Sequence, residues 1–306
     1  MITFDRIQKK FSSGISSKMV LAVNDLTLSI NKGEIFGIVG PNGAGKSTML
    51  KMLMGFIRPS SGAISIFGLP PNVPESRINI GYLPENPYYY DHLSAEDLMK
   101  FSGTTSGLSA SETGKRIDYL LEKMDLVHAR KRKLRTYSKG MTQRAGICFS
   151  LVHDPDIIVF DEPMSGLDPL GRKLVVDLIF ELKEQGKTVL FCSHILNDVE
   201  RLCDRMAMMD LGNLKEIFTK ENIIKTYGLV TLKIDSLPAE AKESFEKIDT
   251  KIESVDEFYT LKCVKSVLPD IFNITASNSI NILEIDTESN ILENMFIDII
   301  NKRLIV

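Results

Sequence analysis

Apolar and polar positions change period several times along the chain, and those changes divide it. Short apolar runs or strand alternation come early, at Ile2 to Phe4, Leu26 to Ile30 and Glu34 to Val39, the last stopping at Gly-Pro-Asn-Gly. Ser47 to Phe56 has the spacing of a helix opening on that turn, and Ala63 to Phe67 returns to strand alternation. From Ser94 to Ser150 the pattern turns helical, with Ile117, Leu120, Leu121 and Met124 recurring at three- and four-residue intervals. The α/β texture then resumes. Ile157 to Phe160 reads as a strand, about Gly171 to Gln185 as a helix, Thr188 to Cys192 as a strand and Leu196 to Cys203 as a helix. Strands alternating with helices predict a mainly parallel sheet covered on both faces.

Past about Phe218 the texture shifts to a small α+β tail, residues 219–306. It has an alternating run (Val230, Leu232, Ile234), a helix-like Ala239 to Lys247, strand candidates at Phe258 to Val264 and Ile280 to Ile285, and a terminal amphipathic segment carrying Ile291, Met295 and Ile299. Charge separates the two parts. The tail holds 10 Lys and Arg against 15 Asp and Glu, and residues 1–218 hold 27 against 25, a split that the overall net charge of −3 conceals.

Composition narrows the classes. At 306 residues, 43% hydrophobic and 25% charged, the chain is ordinary globular protein, long enough for two domains and for a core without disulfides. Cys148, Cys192, Cys203 and Cys263 stand far apart with no metal-ligand spacing, so they read as buried reduced thiols in a cytosolic protein. The expectation is a chain with no span of its own and no signal peptide.

The chemistry begins after the strand ending at Val39. Gly40-Pro41-Asn42-Gly43-Ala44-Gly45-Lys46-Ser47, followed by Thr48, fits G-x-x-x-x-G-K-[ST] between a predicted strand and a predicted helix, the context that motif requires. Its glycines let the backbone wrap a polyphosphate, Lys46 supplies charge to it and Ser47 a hydroxyl to Mg²⁺. Ile157-Ile158-Val159-Phe160-Asp161-Glu162 is an apolar strand ending in two acids, which places Asp161 beside the Mg²⁺ and leaves Glu162 to polarise an attacking water.

Tyr137-Ser138-Lys139-Gly140-Met141-Thr142-Gln143-Arg144 resembles the signature segment of ABC-type ATPases, usually Leu-Ser-Gly-Gly-Gln; Lys139 and Met141 depart from that form while Ser138 and Gly140 keep it. The resemblance covers roughly residues 1–218. It implies a P-loop NTPase core with an ABC-type helical subdomain at about 86–150, ATP and Mg²⁺ as cofactors, and two domains facing head to tail so that Ser138, Lys139, Gly140 and Met141 of one close on the ATP of the other.

It also implies roles for single residues. Phe11 matches the aromatic that stacks on adenine, His194 the switch histidine at the γ-phosphate, and Ser165-Gly166-Leu167-Asp168 the loop crossing the dimer, with Asp168 at its end. Glu85, in Gly81-Tyr82-Leu83-Pro84-Glu85-Asn86, stands where most relatives place a Gln that reads Mg²⁺ and water. In this the segment resembles the subfamily of exporters whose ATPase and membrane subunits are separate chains, among which the substitution recurs.

The reading is therefore an ATP-hydrolysing subunit of an ABC-2-like exporter. It is expected to be a homodimer, with a heterodimer left open, peripheral at the inner face of the cell membrane, driving a separate multi-span permease and binding no nucleic acid. Tyr88-Tyr89-Tyr90 reads as a partner-facing surface, and the basic run Arg130 to Arg135 as a solvated face or as charges near the partner's nucleotide. Two other classes stay open: a soluble ABC-type ATPase acting on ribosomes or nucleic acid, and a regulatory module that holds ATP without turning it over.

Overall fold

The computed structural model describes residues 1–12, 19–227, 229–248, 250–255 and 258–287, and its contacts divide the chain into Met1–Ile217 and Phe218–Val306. In the first unit β1 (Ile2–Ser12) and β2 (Met19–Ile30) are longer than the sequence pattern indicates. Their ladder shifts register at Phe4/Ile7, Ile7/Lys9 and Lys9/Lys10, and bulges of this kind erase period-two alternation. Val20 is thereby strand, paired with Phe11. After β3 (Ile35–Val39), α1 (Lys46–Leu53) and β4 (Ser61–Ile66), β4 pairs with β1 to complete an antiparallel sheet ordered β2-β1-β4.

β5 (Ile80–Leu83) is followed by α2 (Ala95–Thr105), α3 (Ala110–Lys123) and α4 (Lys139–Leu151). Ser94 with Asp97 and Ser109 with Glu112 form capping boxes that start α2 and α3. The chain returns through β6 (Ile157–Asp161), α5 (Pro169–Glu184), β7 (Thr188–Ser193), α6 (Leu196–Leu202), β8 (Arg205–Asp210) and β9 (Asn213–Thr219).

The main sheet runs β5-β6-β7-β3-β8-β9, with parallel ladders from β5 through β8. Every residue of β3, β6 and β7 is buried, which is why these strands read as unbroken apolar runs. One sheet face packs on α1 and the antiparallel sheet, joining Ile38, Val159 and Leu190 to Leu50, Leu53, Ile2 and Phe4. On the other, a Cβ at Gly37 would sit 2.5 Å from Cys203 Sγ and 2.6 Å from Val199 Cγ1, so only glycine lets α6 lie this close. The fold is that of a P-loop NTPase.

The second unit holds α7 (Lys220–Tyr227), β10 (Leu229–Ile234), α8 (Ala239–Lys247), β11 (Lys251–Val255), β12 (Phe258–Val264), α9 (Leu268–Ser277) and β13 (Ile282–Thr287). Its sheet order, β11-β12-β10-β13, with all ladders antiparallel, is the split β-α-β arrangement of ferredoxin-like folds. Leu232, Ile234, Leu261, Phe245 and Ile271 form its core. The expected amphipathic segment with Ile291, Met295 and Ile299 lies outside the described residues.

Candidate functional site

The loop between β3 and α1 is built to present amides. Gly45 caps α1 with φ +101°, a left-handed conformation that an L side chain rarely adopts, and a Cβ there would meet Ala22 O at 2.4 Å. No side chain caps α1, in contrast to α2 and α3, so the amides of its first turn have no side-chain acceptor. A helix start of this kind is an anion site. Lys46, 7% exposed, donates from Nζ to the carbonyl oxygens of Gly40 (2.6 Å) and Pro41 (3.3 Å), which holds its ammonium within the loop.

Asn42, Gly43, Ala44, Gly45, Lys46, Ser47 and Thr48 line a cleft of about 600 Å³ together with Phe11, Glu85 and Glu162. Val20, Leu21, Ala22 and Leu211 complete its apolar wall; their part was not read from the sequence, because β2 and the turn after β8 reach the cleft only through tertiary pairing. Phe11 is 39% exposed, with Lys9 Nζ 5.1 Å from its ring centroid. A flat ring at the rim of such a wall suits a base.

At the other end Glu85 and Glu162 line the cleft, and Asp161 lies buried behind them. Asp161 is 2% exposed, one of its oxygens has no hydrogen-bond partner, and burial raises its pKa from 3.8 to about 6, opposed by the Ser47 hydroxyl and reinforced by Glu85 and Glu162. An unpartnered buried carboxylate oxygen beside a hydroxyl and two further acids fits a divalent cation. Among the described residues no three His, Cys, Asp or Glu are grouped so as to hold a metal ion by themselves.

The same burial makes a stability prediction. Ionising Asp161 is harder folded than unfolded, so its carboxylate opposes folding fully above about pH 6 and ceases to do so below about pH 4, by up to roughly 3 kcal/mol. Asp161→Asn should therefore raise the thermal midpoint of the nucleotide-free protein at pH 8 by several degrees, and much less at pH 4. An unchanged or lower midpoint at pH 8 would contradict this account of the site.

Glu162 is 7% exposed, has φ +54°, and places Oε2 2.9 Å from His194 Nδ1. That pairing across β6 and β7 orients the carboxylate at the mouth of the cleft. His194 itself is not among the lining residues.

Ser138, Lys139, Gly140, Met141 and Asp168 also lie outside this cleft. Ser138 is the N-cap of α4, accepting from the Met141 amide at 3.2 Å, and Asp168 caps α5, accepting from the Gly171 amide at 3.0 Å. The two helix starts touch: a Cβ at Gly140 would lie 3.2 Å from Gly166 O, and one at Gly166 would meet the Lys139 side chain at 2.8 Å. Arg130 is spent inside the helical region on Glu96 and Asp118. Tyr89 packs edge-on against Phe149 while Tyr88 and Tyr90 are exposed, so only two of the three tyrosines face outward.

The ABC transporter family profile matches residues 23–165. Over 211 residues the chain is 44% identical to an ABC transporter ATP-binding protein of Synechocystis, a stretch covering 68% of this chain and 60% of that one. Over 298 residues it is 31% identical to the linearmycin resistance ATP-binding protein LnrL of Bacillus subtilis, covering 92% and 94% of the two chains. The chain belongs to the family of ABC transporter ATP-binding proteins. Its alignment with LnrL runs on into the second unit. A dimeric bacterial ABC transporter cassette superposes on this ABC ATP-binding protein with a TM-score of 0.67 at 25% identity, over 72% of this chain and 99% of that one. Among the described residues no helix is long and apolar enough to cross a membrane.

Proposed function

We propose that this ABC protein is the ATP-hydrolysing subunit of an exporter, working as a homodimer beneath a separate multi-span membrane protein. The observation that carries the reading is the cleft lined by the Gly-rich loop, Lys46 and the His194-bound Glu162, with Asp161 buried behind it against the Ser47 hydroxyl. The amides of Gly43 to Ser47 and the Lys46 ammonium hold the ATP phosphates, and Phe11 with Val20, Leu21 and Leu211 takes the adenine. Ser47, Asp161 and Glu85 are the residues that would hold Mg²⁺, whose charge neutralises the phosphates. Glu162 takes the proton of the attacking water, and His194 keeps its carboxylate aimed.

A module that merely stores ATP has no use for the last two groups. Ser138 to Met141 lie outside their own cleft, which supports the reading in which they close the partner's ATP; Asp168 then sits in the loop between the two sites. The dimeric cassette named above and the resistance function in the name of LnrL support assembly and export. Tyr88 and Tyr90 offer the permease an exposed aromatic face.

Co-purification from membranes tests the partner. The expected result is recovery of a multi-span protein with the tagged chain and phosphate release from Mg²⁺-ATP by that complex; recovery with ribosomes or nucleic acid instead would overturn it.

A further inference from the structure

Gln143 lies in α4 and is 4% exposed, and its Nε2 donates to the carbonyl oxygens of Glu162 (3.2 Å) and Pro163 (3.3 Å). Those carbonyls belong to a backbone under strain, since Glu162 is a non-glycine residue at φ +54°. Such a conformation costs on the order of 1 kcal/mol and persists only where its surroundings impose it. The other restraints on Glu162 are its amide to Cys192 O (3.0 Å), its carbonyl from the Ser165 amide (3.1 Å) and its carboxylate to His194. Of all these partners, Gln143 alone belongs to α4.

We propose that Gln143 is a positioning residue for Glu162, which ties the aim of the catalytic carboxylate to the position of α4. This rests on the function proposed above, in which the first turn of α4 closes on the ATP of the second copy. A shift of that turn when ATP arrives is passed along one rigid helix to the Glu162 and Pro163 carbonyls. Each carboxylate then responds to ATP held at the other site. The start of α4 also lies against the loop after Glu162, since a Cβ at Gly140 would come within 3.2 Å of Gly166 O.

Two variants of near-equal shape test this in the full-length chain. Gln143→Met removes the donor and keeps the volume; it should lower kcat about 10-fold, as expected for losing two hydrogen bonds at a buried site, while KM for ATP stays within about 2-fold. Gln143→Glu sets a carboxylate against two carbonyl oxygens, and only its protonated form can donate. Its kcat relative to wild type should rise as the pH is lowered from about 8 to about 6, a profile that a packing role would not produce.

Wild-type kcat in Gln143→Met overturns the inference, as does a pH-independent ratio in Gln143→Glu. So does a fall in kcat matched by a rise in KM and a lost thermal midpoint. If Gln143→Met does not fold, the pH profile of Gln143→Glu decides. A wild-type chain that releases no phosphate from ATP overturns the proposed function itself, whereas active wild type with an equally active Gln143→Met overturns only the role of Gln143.

Discussion

Replacing Glu162 with Gln should lower ATP turnover by at least ~10²-fold while leaving ATP binding intact, by the measure of removing a general base. The amide has the shape of the carboxylate, so the contact with His194 Nδ1 and the left-handed backbone at Glu162 are kept. What is lost is the basic oxygen that, in the proposed reaction, accepts the proton of water. In the proposed site, binding rests on other groups, the amides around Gly45 and the Lys46 ammonium, which the change does not touch. Phosphate release and equilibrium ATP titration on the same preparation check the two halves of the expectation. Near-normal hydrolysis would remove Glu162 from the chemistry.

Lys46→Ala should act on the other half, weakening ATP binding about 10- to 100-fold, the range that a lost charge-assisted hydrogen bond of about 1.5–3 kcal/mol implies. Lys46 is buried in the loop, with its Nζ on the Gly40 and Pro41 carbonyls, so its charge is already placed among the amides that face the cleft. Truncation also leaves those two carbonyls without this donor, which should cost stability of about 1 kcal/mol. A thermal melt beside the titration therefore separates a binding loss from a folding loss. Unchanged affinity in a folded variant would count against the phosphate cradle.

Much of the core was legible because its strands are buried on both faces and announce themselves as apolar runs, as in Ile157–Asp161 and Thr188–Ser193. Where burial is one-sided and the ladder is bulged, as along Ile2–Ser12, the alternation breaks and the pattern showed only Ile2 to Phe4. In the tail, Lys251–Val255 and Leu268–Ser277 carry little pattern; the first is a short, largely exposed strand, and the second holds Ile271, Asn273, Ile274 and Thr275, residues of low helix propensity.

The site divides in the same way. Lys46, Asp161 and Glu162 sit in contiguous motifs whose spacing carries their chemistry. The Glu162–His194 contact and the bonds from Gln143 to Glu162 and Pro163 are made across the fold by residues far apart in sequence. Gln143 stood in the quoted signature segment without a role, since nothing in a linear pattern says which carbonyl a glutamine will meet. The Val20–Leu21–Leu211 wall of the cleft was hidden for the same reason.

The central claim is that ATP joins two copies of this chain, each completing the site of the other, and the mass in solution of the Glu162→Gln variant tests it most directly. One chain is 34.3 kDa. With saturating ATP, light scattering should report twice that mass, returning to the single-chain value when ATP is removed. A variant that binds ATP and still weighs 34.3 kDa at every ATP concentration would contradict the account.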